Sequence, residues 1–242
     1  MSAQITIFAF NNLLKVLVIN MSVEYAYYHL YNRGCNKDLI FFKDDHYFFL
    51  LHKIKENYQK FNLKIVAYCL MPNHYHLMVG APVEPSPSQP SEGFIKNLSS
   101  KSKNFNYKPS EGCGKGFISI SISRFMQNIF NSYVQTVNFD MKRKGTLFES
   151  KYKYIRIDKE EYLLQLVRYI HLNPVIAGLC NHPEDWQYSN CREWLGIRNG
   201  TLFNRDFFDT YFQTFDQYRE FLNAYRDYKM MQKKLRKFGF DF

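Results

Sequence analysis

The stretch Met71-Pro72-Asn73-His74-Tyr75-His76 sets two of the chain's seven histidines one residue apart. Side chains alternate along a β-strand, so residues i and i+2 share a face, about 6–7 Å apart along the backbone. On a strand His74 and His76 would therefore point the same way, as two ligands of one metal ion do, and Tyr75 would face the opposite side. The same pair also fits two polar residues on the solvated face of an edge strand. Two ligands rarely hold a metal, so the chemical reading needs a third ligand and a reaction.

Both have a candidate in Arg168-Tyr169-Ile170-His171-Leu172-Asn173-Pro174. Tyr169 and Asn173 are four apart, hence one turn apart on one face of a helix. A tyrosine hydroxyl can attack phosphorus and form a covalent ester. An asparagine carbonyl one turn on can complete a metal shell, and the metal would polarise a scissile phosphate. The plainer readings are a core aromatic at Tyr169, with Tyr133, Tyr154 and Tyr162 as competing nucleophiles, and a turn or cap residue at Asn173. Other metal and nucleotide chemistries lack their motifs. The chain has no His-Glu-x-x-His, no Cys-x-x-Cys and no Gly-Lys-Ser/Thr phosphate loop. It is too short and wrongly ordered for an eight-fold strand–helix barrel.

The elements that must position these residues follow from periodicity. Residues 22–32 alternate as a strand (Val23, Tyr25, Tyr27, His29, Tyr31) and stop at Asn32-Arg33-Gly34. Asp44-Asp45 opens a helical pattern through Tyr47, Leu51, Ile54 and Tyr58. Residues 63–70 and 75–80 form a hairpin about the Pro72-Asn73 turn. Residues 82–116, rich in Pro, Ser, Gly and Lys, make a long loop with one short helix near Phe94–Leu98. A second amphipathic helix runs from Ile122 to Val137, followed by the basic turn Met141–Gly145. Leu147 to Ile157 is extended. Asp158 caps a third helix with Glu161 completing a capping-box pattern, and Asn173-Pro174 disfavours its continuation. Residues 203–236 carry further helices and end in a basic run. The order strand, helix, hairpin, helix, strand, helix predicts an α+β fold. It is an antiparallel sheet with helices on one face, nearest to a ferredoxin-like sandwich, plus a helical C-terminal tail.

Composition bounds the partners. Lys and Arg number 32 against 22 Asp and Glu, a net charge of +10, which favours polyanions and first of all nucleic acid. The 19 Tyr and 23 Phe suit stacking on unpaired bases as well as a core. No apolar run approaches the roughly 18 residues of a membrane span. The five cysteines are odd in number and scattered, which predicts a reduced, cytoplasmic chain. Residues 1–21 read as an N-terminal extension, with Met21 as an alternative start. The main domain is assigned to 22–195 and the basic helical tail to 196–242.

One family resembles the whole ordered set. Its pieces are Tyr31-Asn32-Arg33-Gly34, Met71-Pro72-Asn73-His74-Tyr75-His76, Ser123-Arg124-Phe125-Met126-Gln127 and Arg143-Lys144-Gly145-Thr146-Leu147-Phe148-Glu149. Arg168-Tyr169-Ile170-His171-Leu172-Asn173-Pro174-Val175 and Trp186-Gln187-Tyr188-Ser189 complete it. Over about residues 22–195 the chain looks like the REP-associated tyrosine transposases, within the HUH single-strand DNA transposases. The resemblance implies a ferredoxin-like sandwich and cleavage and rejoining of single-stranded DNA near hairpins through a covalent 5′-phosphotyrosine. It also implies a divalent metal, Mg²⁺ or Mn²⁺, on His74, His76 and Asn173, with Tyr169 as nucleophile. Two imidazoles and an amide oxygen form a softer set than Mg²⁺ prefers. Departures are the bulky Tyr75 inside the histidine motif, the long 82–116 loop and the tail beyond about residue 200. Arg33, Lys142, Arg143, Lys144, Lys151 and Lys153 are candidate phosphate contacts. The partner is then single-stranded or hairpin DNA, the chain acting as monomer or homodimer. Two other readings stay open: a DNA-binding protein of this fold that does not cut, and a metal-dependent phosphodiesterase that does not use Tyr169.

Overall fold

The structure, a computed structural model, describes residues 24–83 and 119–224. The extension 1–21, the helix expected near Phe94–Leu98, nearly all of the 82–116 loop and the basic end of the tail lie outside the described residues. Four strands form one sheet in the order β2-β3-β1-β4. They are β1 (Tyr25–Arg33), β2 (Lys64–Met71), β3 (His74–Pro82) and β4 (Lys153–Ile157). Every neighbouring pair is antiparallel. Helix α1 (Asp44–Asn57) joins β1 to β2 and helix α2 (Ile120–Asp140) lies between β3 and β4. This is the split βαβ arrangement of a ferredoxin-like α+β domain, as the element order predicts.

Strand alternation divides the core in two. Tyr28, Leu30, Ile65, Tyr68, Leu70, Tyr75, Leu77 and Val79 face α1 and α2, whose Leu50, Ile54, Phe125, Ile129 and Tyr133 are fully buried against them. Val66, Cys69, Met71 and Met78 face the other way and are covered by helix α3 (Glu160–Ile176). The expected cover on one face is thus the work of α1 and α2, and the second face is covered as well. Helices α4 (Cys191–Trp194), α5 (Arg205–Tyr211) and α6 (Phe215–Asn223) complete it, with Trp194, Phe208 and Tyr218 fully buried there. The part of the tail that is described packs on its own domain. Its helices start on side-chain caps, Asn204 accepting the Phe207 N–H and Thr214 the Gln217 N–H.

Two local expectations change. Asp158 does not cap α3: Lys159 holds that position without a side-chain bond, and Asp158 instead pairs with Arg156 at 3.0 Å. Glu160 and Glu161 in the first turn still complement the helix dipole. Helix α3 also runs through Pro174 to Ile176. Proline there removes one N–H, while the Asn173 carbonyl still receives the Ala177 N–H at 3.0 Å and the Pro174 carbonyl the Leu179 N–H at 2.9 Å. Asn173 therefore sits on the helix face with Tyr169 instead of in a turn.

Candidate active site

The histidine pair starts β3 directly after the two-residue turn Pro72-Asn73. That turn is clamped from outside the hairpin. The Pro72 carbonyl accepts the Ile40 and Phe41 N–H groups at 2.8 and 3.1 Å, and the Asn73 carbonyl accepts the Gly34 N–H at 2.8 Å. The Asn73 side chain donates through Nδ2 to the Lys37 carbonyl at 3.3 Å, which turns its Oδ1 toward His74. His74 Nδ1 donates to that oxygen at 2.7 Å. The ring proton is thereby placed on Nδ1, and Nε2 faces Asn173 Oδ1 at 3.3 Å. In the neutral ring both atoms offer lone pairs to the same space, an arrangement that a cation stabilises. Burial lowers the His74 pKa, with Asn173 acting against that and Arg33 with it.

His76 is 3% exposed and its ring centroid is 5.1 Å from that of His74. Its Nδ1 lies 2.9 Å from Nε2 of His29, a fully buried histidine on β1. Burial first, then the neighbouring His29 and His74, push the His76 pKa well down, and burial takes His29 down to about 3. Both shifts favour the neutral imidazole, the form that binds metals. Tyr169 arrives from α3 with its ring edge-on to His76, centroids 5.4 Å apart. At 2% exposure the tyrosine lies buried against the sheet. Tyr75 is core as its strand parity predicts, stacked on Phe130 at 4.6 Å.

The structure therefore brings His74, His76, Tyr169 and Asn173 together across the β3–α3 interface. Asn173 is itself buried, and its Nδ2 has no hydrogen-bond partner. Among the described residues no three His, Cys, Asp or Glu side chains gather as a metal site. The third donor available beside the histidines is the Asn173 amide oxygen, and this set fits a divalent cation whose remaining ligands are water and phosphate. Tyr133 is excluded as a competing nucleophile, since it is buried on the opposite face and donates to the Ile40 carbonyl at 2.6 Å.

The basic candidates separate into two groups. Register places Lys153 beside Tyr31, Tyr31 beside His76, and Arg33 beside His74. Directly paired residues share a sheet face, so Arg33 and Lys153 flank the histidines. Both contact Glu149, Arg33 Nε at 2.5 Å and Lys153 Nζ at 3.5 Å. Lys151 is exposed nearby in sequence. Lys142 and Lys144 are exposed in the turn after α2, whereas Arg143 lies over the Phe42 ring at 5.2 Å. His29 and Tyr31 belong to the site and were not singled out from the sequence. Their signal was the alternation of β1, which puts them on one face. That this face meets His76 depends on strand register.

The class these elements define is a ferredoxin-like α+β domain in which a paired-histidine strand faces a tyrosine-bearing helix. Residues 22–112 match the family described as "Transposase IS200 like". This segment contains the two histidines and stops short of Tyr169 and Asn173. Among solved structures, a REP-associated tyrosine transposase bound to a REP hairpin is similar, with 14% identity, 75% of this chain and 92% of that chain covered, and a TM-score of 0.48. A candidate transposase from Deinococcus radiodurans R1 is similar with 18% identity, 62% and 92% covered, and a TM-score of 0.32. No curated protein matches. No helix of the described residues is long and apolar enough to cross a membrane.

Proposed function

We propose that the protein is a metal-dependent single-stranded DNA transesterase, a transposase that cuts and rejoins strands near hairpins through a 5′-phosphotyrosine. The observation that carries this reading is the convergence of His74, His76 and Asn173 beside Tyr169. His74, His76 and Asn173 would hold Mg²⁺ or Mn²⁺, which supplies charge stabilisation at the scissile phosphate. Tyr169 Oη attacks phosphorus and forms the O–P bond as the bond to the 3′ oxygen breaks, and the tyrosine's proton passes through water to that oxygen, which leaves as a 3′-hydroxyl. The bond energy is kept in the ester, and a second 3′-hydroxyl reverses the step on another strand. Arg33, Lys151 and Lys153 hold backbone phosphates on the histidine face, with Glu149 yielding its partners to the DNA. Lys142, Arg143 and Lys144 extend that contact beyond the site. The net charge of +10 suits the same partner.

The test is a labelled single-stranded hairpin incubated with the protein and Mn²⁺ and run on a denaturing gel. A slow covalent adduct is expected, lost in Tyr169→Phe. Cleavage surviving in Tyr169→Phe identifies a hydrolase instead, and binding without cleavage in the unmodified chain identifies a non-cutting DNA-binding protein.

A further inference from the structure

The metal set proposed above leaves His29 without a role, yet it is the most buried charge-capable group beside it. His29 is fully buried, and the two strands that carry it and His76 run antiparallel, with His29 opposite Met78 and Tyr31 opposite His76. The two histidines are therefore diagonal neighbours on one sheet face, and their ring planes lie within 21° of parallel. Nδ1 of His76 and Nε2 of His29 approach to 2.9 Å. One of these nitrogens must donate and the other accept.

The direction of that bond decides whether His76 can bind a metal. If His29 donates, His76 accepts at Nδ1, and a neutral His76 then keeps its proton on Nε2, which cannot ligate. If His29 accepts, His76 carries its proton on Nδ1 and presents a lone pair at Nε2. His74 is already oriented in this second way by Asn73. The sheet thus holds both rings by Nδ1, one through the turn and one through β1.

We infer that His29 is a positioning residue for the metal site, accepting the Nδ1–H of His76 so that Nε2 of His76 faces the metal. This rests on the metal reading of His74, His76 and Asn173. A hydrogen-bond partner of a metal-bound imidazole fixes its tautomer and raises its basicity, and its loss typically weakens metal binding about 10–100-fold.

The test is Mn²⁺ binding to the full chain without DNA, measured by titration calorimetry, with the melting temperature of each metal-free variant recorded beside it. His29→Phe keeps an aromatic ring but removes the acceptor, and Mn²⁺ affinity should fall by about 10–100-fold. His29→Gln restores an acceptor oxygen and should recover part of the loss. Wild-type affinity in a folded His29→Phe overturns the inference and leaves the metal reading intact. Unaltered Mn²⁺ affinity in His74→Ala, or none in the unmodified chain, overturns the metal reading and this inference with it. Nitrogen NMR of the unmodified chain decides independently of any variant's folding. A protonated Nδ1 on His76 is expected, and a protonated Nε2 overturns the proposal.

Discussion

His74 is held at Nδ1 by Asn73 at 2.7 Å, which leaves the lone pair of Nε2 facing Asn173 Oδ1 at 3.3 Å. In the proposed function His74 serves the chemistry more than the affinity. His74→Ala is expected to lower hairpin cleavage by at least about 100-fold, as loss of a metal ligand does. DNA affinity should change little, because phosphate contacts dominate it. Gel cleavage and fluorescence anisotropy on the same samples separate the two, and a parallel fall in binding would count against the assigned role. At this scale the sequence was informative where one strand or one helix turn sufficed. His74 with His76, Tyr75 turned to the core, and Tyr169 with Asn173 all follow from periods of two and four. His29 does not, because its neighbour lies on another strand. Register depends on the whole sheet closing, and a one-residue slip would have turned His29 to the other face. The split among basic residues was equally invisible: Arg143 packs on Phe42, while Arg33 and Lys153 share Glu149.

The elements matter through the hairpin turn, whose position is set by the segment after β1. Gly34 has φ of −63°, so no left-handed backbone calls for glycine there. Close approach does: a Cβ on Gly34 would lie 2.0 Å from the Asp38 carbonyl oxygen and 3.1 Å from Ile40 Cγ2. The neighbour is backbone and cannot step aside as a flexible side chain would. Gly34→Ala should therefore push residues 34–40 outward. Gly34 N–H then loses Asn73, and Ile40 and Phe41 lose Pro72, the contacts that aim the Asn73 amide at His74. A stability loss of about 1–3 kcal/mol is expected from denaturant titration, as for other overpacked sites. Cleavage should fall further than that loss explains, measured where the variant is still fully folded. Full activity there would show that the turn does not position His74. Here the sequence marked Asn32-Arg33-Gly34 as a strand end but not as the support of another turn. Its reading of α3 erred for a related reason, since Asn173-Pro174 was judged by local preference. Packing of α3 on β2 and the later helices carries the helix one short step past the proline.

On the second sheet face α3, β2 and the C-terminal helices meet, and the hydrogen-bond directions there can be worked out. Asn190 Nδ2 donates to the Val66 carbonyl at 3.0 Å and Asn190 Oδ1 accepts the Tyr68 N–H at 2.8 Å. The amide is thus oriented by β2 backbone, and its oxygen, 2.9 Å from His171 Nε2, accepts from that nitrogen too. His171 Nδ1 is left to accept from the Tyr218 hydroxyl at 2.5 Å. A second ring proton would displace that donor inside a closed core. Burial accordingly lowers the His171 pKa to about 4, with the Asn190 contact opposing the shift. In the unfolded chain the group titrates near its ordinary value of about 6.5. Above that pH neither state is protonated and His171 makes no difference. Between about 6.5 and 4 the unfolded chain binds the proton first, so stability rises with pH in this window and falls on acidification. The total from this residue is on the order of 3 kcal/mol. The buried His29 and His76, also shifted down, add in the same direction. Melting temperature should stay level from pH 8 to 7 and drop steadily below about 6.5. In His171→Gln the starting stability is lower and the decline over that window shallower. An unchanged slope in that variant would place the acid sensitivity elsewhere. The helix with Tyr169 and Asn173 is tied to the tail through this histidine, so mild acid should loosen the site along with the tail that covers its helix.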